Sequence, residues 1–234
     1  MYFAGAARQS ELAADGHAKR GRFLPPVPLP PRMWAGGSLE CHRPLRVGGT
    51  ARRVSRIHDV TSKQGRSGPL VFVLVHHEIS IAGKLALVEE QNIVFRGPSG
   101  SGPQLGAASS SPPAPGKAAW RRVVRSDPVM LFRYSALTFN SHRIHYDRPY
   151  TMAEEGYPGL VVHGPLTATL LLDLCRRESP REKIAEFRFR ALVPLFDNAP
   201  FTIVGQPSAD GRVANLWAEN QKGVMAMTAE ARFA

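Results

Sequence analysis

Apolar and polar residues alternate along residues 39–96, a pattern typical of antiparallel β-strands that cover one face. Glycine-containing turns interrupt the alternation at residues 48–49, 65–68 and 81–83. This stretch therefore predicts four strands, which have the sequences LECHRPLRV, TARRVSRIHDVTSK, LVFVLVHHEIS and KLALVEEQNIVFR.

Residues 120–234 have a different pattern, in which one long apolar segment precedes another set of strands. PVMLFRYSALT predicts a strand, and the segment from His163 to about Arg177 predicts a helix. Because residues 166–174 are apolar nearly all round, we expect a sheet to enclose that helix. Four further strands are predicted after it, with the sequences IAEFRFRALVPL, PFTIVGQPS, RVANLWAENQ and VMAMTAEARFA.

Two segments lack either pattern. Residues 1–38 form a proline-rich N-terminal arm, whose segment FLPPVPLPPRMWAGG lacks many of the N–H groups that a ladder or helix needs. We expect it to pack as an extended arm. Residues 97–119 are rich in Gly, Ser, Pro and Ala and predict a flexible linker between two halves of the chain.

A strand, an enclosed helix and four antiparallel strands make up a hotdog fold, an antiparallel sheet wrapped around a central helix. Residues 120–234 are thus predicted to be a complete hotdog domain, and residues 39–96 an incomplete half without its helix. The expected architecture is α+β, a degenerate double hotdog. Since the first sheet would expose an apolar face, we expect the arm or a second subunit to cover it, which favours a dimer.

The net charge of the chain bears on its binding partners. The chain of 234 residues carries 30 Lys and Arg against 19 Asp and Glu, a formal net charge of +11. A polyanionic partner is therefore plausible, either nucleic acid or a phosphorylated carrier such as coenzyme A. The basic residues are scattered and form no nucleic-acid-binding motif, which argues against nucleic acid.

The cysteines and the apolar runs bear on compartment. Cys41 and Cys175 are too few and too far apart for a disulfide framework or a chelating pair, which favours a reducing compartment. No apolar run approaches the roughly 20 residues of a membrane span. We expect a cytoplasmic protein without membrane contact, with the mitochondrial matrix as the alternative.

Titratable residues crowd into residues 134–166, directly ahead of the predicted buried helix. His142, His145 and Asp147 lie within six positions, and His163-Gly164 opens the helix. Backbone N–H groups at a helix N-terminus favour developing negative charge. This arrangement predicts acid/base chemistry beside a carbonyl group.

Two quoted segments carry a family resemblance. YSALTFNSHRIHYDRPY, followed by GLVVHGPL, resembles the MaoC-type hotdog hydratases and dehydratases, most closely their mesaconyl-CoA hydratase and FAS1-like dehydratase branch. FLPPVPLPPRMWAGG and KQGRSGPLVFV extend the resemblance into the first half. It implies reversible syn addition of water across the α,β double bond of an acyl thioester. The acyl group is carried on coenzyme A or acyl carrier protein, and no separate cofactor or metal is implied.

The resemblance is incomplete at the catalytic motif, Gly-Asp-x-Asn-Pro-(Leu/Ile)-His. Its histidine falls on His145, but its aspartate falls on Asn140 and its glycine on Phe139. An amide cannot act as a base, although it can orient a water molecule. Proton transfer would then depend on His145, while Asp147 or His142 supplies a second acid/base group.

The expected mechanism has water, held by Asn140 and His145, adding to the β-carbon while a proton reaches the α-carbon. Gly164 N–H is expected to stabilise charge on the thioester oxygen. His163 and Tyr134 are further candidates for binding the oxyanion or substrate. Structural roles also stay open: His142 as a hydrogen-bond donor, and Asp147 in a turn or an ion pair. Helix capping or packing is open for His163, and packing for Tyr134.

Other functions remain open from the sequence. A hotdog thioesterase would use a carboxylate such as Asp147 to activate water against the thioester carbonyl. A non-catalytic acyl-CoA-binding subunit would explain both the amide at position 140 and the incomplete first half. A metal centre at His142, His145 and Asp147 has suitable spacing, but the chain lacks an HExxH motif.

Overall fold

The structure, a computed structural model, describes residues 7–29, 32–65, 68–97 and 118–234. Their strands form one antiparallel sheet of nine, the predicted hotdog architecture. The strands are β1 (Arg32–Cys41), β2 (Ala51–Gly65), β3 (Gly68–Ile81), β4 (Lys84–Arg96), β5 (Trp120–Val124), β6 (Ile184–Ala191), β7 (Phe201–Pro207), β8 (Val213–Glu219) and β9 (Met225–Phe233). Their spatial order is β2-β3-β4-β1-β6-β9-β8-β7-β5.

Three α-helices connect β5 to β6: α1 (Pro128–Thr138), α2 (Arg148–Ala153) and α3 (Gly164–Glu178). The prediction of a strand from PVMLFRYSALT was wrong, because this segment forms α1. Asp127 caps it by accepting a hydrogen bond from Met130 N at 2.7 Å, with proline at the first helical position. The short apolar run is compatible with a helix or a strand, and these capping signals favour the helix.

Helix α3 is the enclosed helix that the apolar run predicts. It contacts five strands, β5 to β9, and also β1. Leu171 is fully buried and Leu174 nearly so, and both pack into the main core with residues of the surrounding strands. Packing of α3 against these strands therefore fixes the position of its N-terminus.

The two halves join edge to edge through β1 and β6. Gly36 pairs with Arg190 and Glu40 with Glu186. Glycine is required at this seam, since a Cβ on Gly36 would lie 2.5 Å from the Phe189 carbonyl oxygen. Strand β1 begins at Arg32 and not at Leu39, so part of the expected arm is a sheet strand.

The proline-rich segment packs against strands of the first half. The sequence left two covers possible for this half, the N-terminal arm or a second subunit. Val27 packs with Val73, Val75 and Phe95 in a small separate core. Arg20 holds the segment by donating to the carbonyls of residues 27 and 29, at 2.6 and 2.7 Å. The described residues of this half contain no α-helix.

The predicted turn at residues 81–83 is a tight hairpin between β3 and β4. Ala82 and Gly83 both adopt positive φ, at 48° and 74°, as a two-residue hairpin of this hand requires. Most of the expected linker, residues 98–117, lies outside the described residues. No helix among the described residues has the length and apolar content needed to cross a bilayer.

Leu171→Ala tests whether α3 organises the fold. Removing this fully buried side chain should lower the free energy of unfolding by about 2–5 kcal/mol, through lost burial and an unfilled cavity. Chemical denaturation measures the change. Leu137→Ala is the matched control, because Leu137 is 80% exposed and its loss should change stability by about 0.5 kcal/mol or less. Equal effects of the two substitutions would contradict the enclosed-helix arrangement.

Candidate active site

Most of the candidate residues lie on the connection between α1 and α3, residues 139–163, with Tyr134 on α1 and Gly164 at the start of α3. Helix α1 ends at Phe139, which adopts the left-handed conformation (φ 51°, ψ 38°) that favours glycine. This is the position of the family motif's glycine. A 3-10 turn at Arg143–His145 follows and buries the His145 ring.

Asp147 lies apart from the other candidates. One carboxylate oxygen accepts two hydrogen bonds from Arg143, at 2.8 and 2.9 Å. The other accepts the N–H of Tyr150 at 3.1 Å and so caps α2. Both oxygens therefore accept hydrogen bonds. Asp147 forms an ion pair with Arg143, which is one of the two structural roles that the sequence left open. The structure does not bring Asp147 together with the two histidines as a metal centre.

His145 has a defined tautomer. Its Nδ1 lies 2.8 Å from the carbonyl oxygen of Val161. A carbonyl can only accept, so Nδ1 carries the hydrogen and Nε2 carries a lone pair. The ring is therefore oriented as a base or a hydrogen-bond acceptor.

The Val161 carbonyl is itself held on both sides. Val161 N donates to the carbonyl of Ile144 at 2.9 Å, next to His145. Val162 N donates to the carbonyl of Leu195 at 2.8 Å. These backbone hydrogen bonds fix the acceptor, and through it the His145 ring.

His163 lies behind His145. The two rings stack with centroids 3.6 Å apart and an interplanar angle of 18°. His163 Nε2 is hydrogen-bonded to the Ser135 hydroxyl at 2.8 Å, and Tyr134 meets its ring edge-on at 4.9 Å. Neither His163 nor Tyr134 is among the described residues that line the cavity; both pack beside His145, and their contact with substrate stays a prediction.

Asn140 and His142 continue the connection on the other side of His145. The side-chain oxygen of Asn140 accepts the backbone N–H of His142 at 3.1 Å, which leaves its amide hydrogens as the free donors. The His142 ring meets His145 edge-on, with centroids 5.5 Å apart. Both residues line the cavity, as the sequence predicts of a site.

Gly164 is the first residue of α3 and also lines the cavity. Its N–H belongs to the first turn, where no intrahelical acceptor exists, and Pro165 supplies no N–H at all. A Cβ on Gly164 would come no closer than 3.9 Å to the nearest atom, Trp34 O. The N–H without an intrahelical acceptor and the helix dipole favour an anionic oxygen beside Gly164.

The cavity has a volume of about 1020 Å³ and opens between the two halves of the chain. His145 and Gly164 both line it, so the imidazole and the helix N-terminus face a common space. The described residues of the first half contain no α-helix, and strands β2 to β4 contribute residues to the cavity lining. These include Arg53, Ser55, His77 and Gln91.

Burial shapes the acid/base properties of the histidines. It lowers the pKa of His145 to about 4, against the raising effect of the hydrogen bond to Val161. It lowers the pKa of His163 to about 2, helped by the charge of the neighbouring His145. Burial, and then the charges of His17 and His145, hold the pKa of His142 far below its ordinary value. These imidazoles are therefore neutral near pH 7.

Sequence reasoning missed two residues of the N-terminal segment, Asp15 and His17. His17 lines the cavity, with its ring centroid 3.9 Å from that of His142. Its Nδ1 lies 3.0 Å from a carboxylate oxygen of Asp15. An acidic residue two positions before a histidine is a common pattern, and nothing in the chain's periodicity indicates that this segment reaches the second half.

Comparison with known proteins identifies relatives of this chain. The family model for hydroxyacyl-thioester dehydratase type 2 matches residues 1–197. The mesaconyl-C(4)-CoA hydratase of Chloroflexus aurantiacus is 50% identical over 229 residues, covering 98% of this chain and 80% of the relative. The mitochondrial hydroxyacyl-thioester dehydratase type 2 of Schizosaccharomyces pombe is 27% identical over 246 residues, covering 93% and 77%.

A solved structure agrees on the architecture. A Mycobacterium tuberculosis protein described as having a double hotdog fold superimposes with a TM-score of 0.52 at 15% identity, covering 88% of this chain and 76% of that one. At this identity the likeness concerns the fold alone. The family match over most of the chain, together with the double hotdog sheet and the buried histidine beside a helix N-terminus, places the chain in the hydroxyacyl-thioester dehydratase type 2 family.

Proposed function

We propose that this chain catalyses reversible hydration of the α,β double bond of an enoyl thioester, with a mesaconyl-type acyl group on coenzyme A. The observation that carries the proposal is the hydrogen bond from His145 Nδ1 to the Val161 carbonyl, since it leaves a lone pair on Nε2 in the cavity that Gly164 also lines. The hydratase and dehydratase names of its relatives support the same reaction class.

In the proposed mechanism, water donates a hydrogen bond to His145 Nε2 and accepts one from the Asn140 amide. The water oxygen bonds to the β-carbon as its proton passes to Nε2. The π electrons of the double bond move toward the thioester carbonyl, whose oxygen is stabilised by Gly164 N–H. His145 then delivers its proton to the α-carbon, which restores the neutral ring.

A thioesterase mechanism receives less support. It needs a carboxylate to activate water against the thioester carbonyl, and Asp147 was the candidate. Both oxygens of Asp147 are engaged, one by Arg143 and the other as the cap of α2. The named relatives also favour addition of water over hydrolysis.

We further propose that the carrier is coenzyme A and that the protein is a cytoplasmic dimer. The formal charge of +11 supports a phosphorylated carrier, and the name of the Chloroflexus relative includes CoA. Strand β5 lies at the end of the described sheet, and Val123 on it is 61% exposed. An open strand edge with an exposed apolar side chain favours pairing with another subunit.

His145→Ala tests the catalytic assignment. Removal of the general base should lower kcat for hydration of mesaconyl-C4-CoA by about 10²–10⁴-fold, measured by loss of the conjugated enoyl absorbance. Asp147→Asn is the comparison variant and should leave kcat little changed, because this carboxylate is outside the cavity lining. Activity of His145→Ala within a few-fold of wild type would eliminate the mechanism.

The pH profile tests the protonation state. The base must be neutral, so activity is lost as pH falls through its pKa and not as pH rises. Because burial lowers the pKa of His145 to about 4, we expect the acid limb of kcat to lie below the ordinary imidazole value of about 6.5. Steady-state rates across this range measure it, and an acid midpoint at or above the ordinary value would contradict the assignment.

Sedimentation velocity tests the assembly. We expect the wild-type chain to sediment as a dimer, and Val123→Lys to shift the equilibrium toward monomer, because a charge would be buried at the paired strand edge. Leu137→Lys is the matched control on exposed surface away from this edge. A wild-type chain that is monomeric at micromolar concentration would contradict the dimer proposal.

A further inference from the structure

The N-terminal segment is docked on the catalytic connection by specific contacts. Arg143 N donates to the carbonyl of Asp15 at 2.9 Å, and the Ser141 hydroxyl donates to the carbonyl of Gly16. Gly16 has a φ of +86°, and a Cβ there would lie 1.8 Å from the backbone oxygen of Ser141. A glycine is therefore required at this contact, and the close approach places Asp15 and His17 beside the site.

Asp15 and His17 form an oriented pair. Asp15 accepts a hydrogen bond from the His17 backbone N–H at 2.9 Å with one oxygen and lies 3.0 Å from Nδ1 with the other. An ionised carboxylate only accepts, so Nδ1 carries the hydrogen and Nε2 carries the lone pair. His17 is thus a second imidazole in the cavity with the same tautomer as His145.

Opposing charges surround this pair. The charged and titratable groups that act on His17 are Asp15, Arg32, Arg20 and the adjacent His142 ring. Burial lowers the pKa of His17, and the Asp15 hydrogen bond and charge raise it in part. Burial raises the pKa of Asp15, but its contacts with His17 outweigh this, so the pKa is lowered and the carboxylate stays ionised.

In the proposed mechanism, only one of the two hydrogens of the attacking water has an assigned acceptor, His145 Nε2. A second acceptor would direct an oxygen lone pair at the β-carbon. The Asn140 oxygen already accepts the His142 N–H, and an amide oxygen is a weaker base than an imidazole nitrogen. Asp147 is outside the cavity lining.

We propose that His17 is a second catalytic residue, whose Nε2 accepts the other hydrogen of the attacking water, and that Asp15 is the positioning residue that fixes its tautomer. The inference rests on the proposed hydratase function. The carboxylate that the family motif places at position 140 is thereby replaced in function by a carboxylate–imidazole pair from the N-terminal segment.

The reaction balances without further groups. One water O–H bond breaks, its proton passes to His145 Nε2, and the oxygen bonds to the β-carbon. The hydrogen held by His17 stays on the oxygen and becomes the product hydroxyl. The π electrons reach the thioester oxygen as an enolate and return to form the α C–H bond with the proton from His145. Both imidazoles end neutral.

A metal centre is the competing use of the same residues. Asp15, His17 and His142 offer ligand atoms that all lie within 4.8 Å of one another. The Asp15–His17 hydrogen bond, however, places a proton between two of the three ligands. This arrangement favours an acceptor pair over a cation site.

The test is hydration of mesaconyl-C4-CoA by the full chain carrying His17→Gln or Asp15→Asn. His17→Gln should lower kcat by about 10²-fold with KM little changed, because the water loses its orientation. Asp15→Asn should lower kcat similarly, because an amide can donate to Nδ1 and move the hydrogen to Nε2.

Gly16→Ala separates docking of the segment from overall folding. It should reproduce the loss in His17→Gln, because the added Cβ displaces the pair from the site. Gly48→Ala is the matched control: Gly48 has a similar φ of +84°, but a Cβ added there would have no atom within 4 Å. His42→Gln, at an exposed histidine near Glu40, controls for loss of an imidazole.

The outcomes are distinguishable. A kcat of His17→Gln within twofold of wild type, while His145→Ala is inactive, would overturn this inference and leave the proposed function standing. A wild-type chain without hydratase activity would overturn both. Stoichiometric zinc in the purified protein, with activity lost on chelation, would replace the acceptor pair by a metal centre.

Discussion

The hydrogen bond from His145 to the Val161 carbonyl is the interaction on which the site depends. It selects the tautomer, and the stacked His163 ring keeps the imidazole from rotating. The acceptor is a backbone atom fixed by neighbouring hydrogen bonds, so the orientation is built into the fold. A carboxylate acceptor would have raised the basicity of the ring, whereas a carbonyl leaves it neutral and weakly basic.

The enclosed helix and the incomplete first half together create the working space. Helix α3 packs against strands β5 to β9 and presents its N-terminus to the cavity. Strands β1 to β4 have no α-helix among the described residues of their half to cover their concave face. The N-terminal segment covers only part of that face, through Val27 and its neighbours. The rest remains open as a cavity large enough for a substrate, lined on one side by polar groups such as Arg53 and His77.

Burial sets the electrostatics of this cavity. It disfavours charge on every imidazole near the site and lowers their pKa values, so the ring that accepts the proton of water starts neutral. The N-terminal segment supplies a carboxylate held against these rings, Asp15. The amide at position 140 is then compatible with hydration, since it can donate to water while other groups accept from it.

The sequence alone predicted the sheet and the enclosed helix, and it predicted that His145 and Gly164 belong to one site; the structure places both on the lining of one cavity. These follow from local signals: strand periodicity, an apolar helical run, and a histidine and a helix-opening glycine in a motif of specific spacing. Helix α1 was missed because eleven residues of mixed apolar pattern fit either element, although Asp127 and Pro128 carried a capping signal.

Only the tertiary structure decided which polar groups share the site. It paired Asp147 with Arg143 and placed His163 and Tyr134 behind His145, and it brought Asp15 and His17 to the cavity from more than a hundred residues away in sequence. No local pattern encodes such contacts, because they depend on how the N-terminal segment crosses the first sheet and docks where Gly16 lacks a side chain. The sequence determines the chemistry that each residue can perform, and packing determines which residues perform it together.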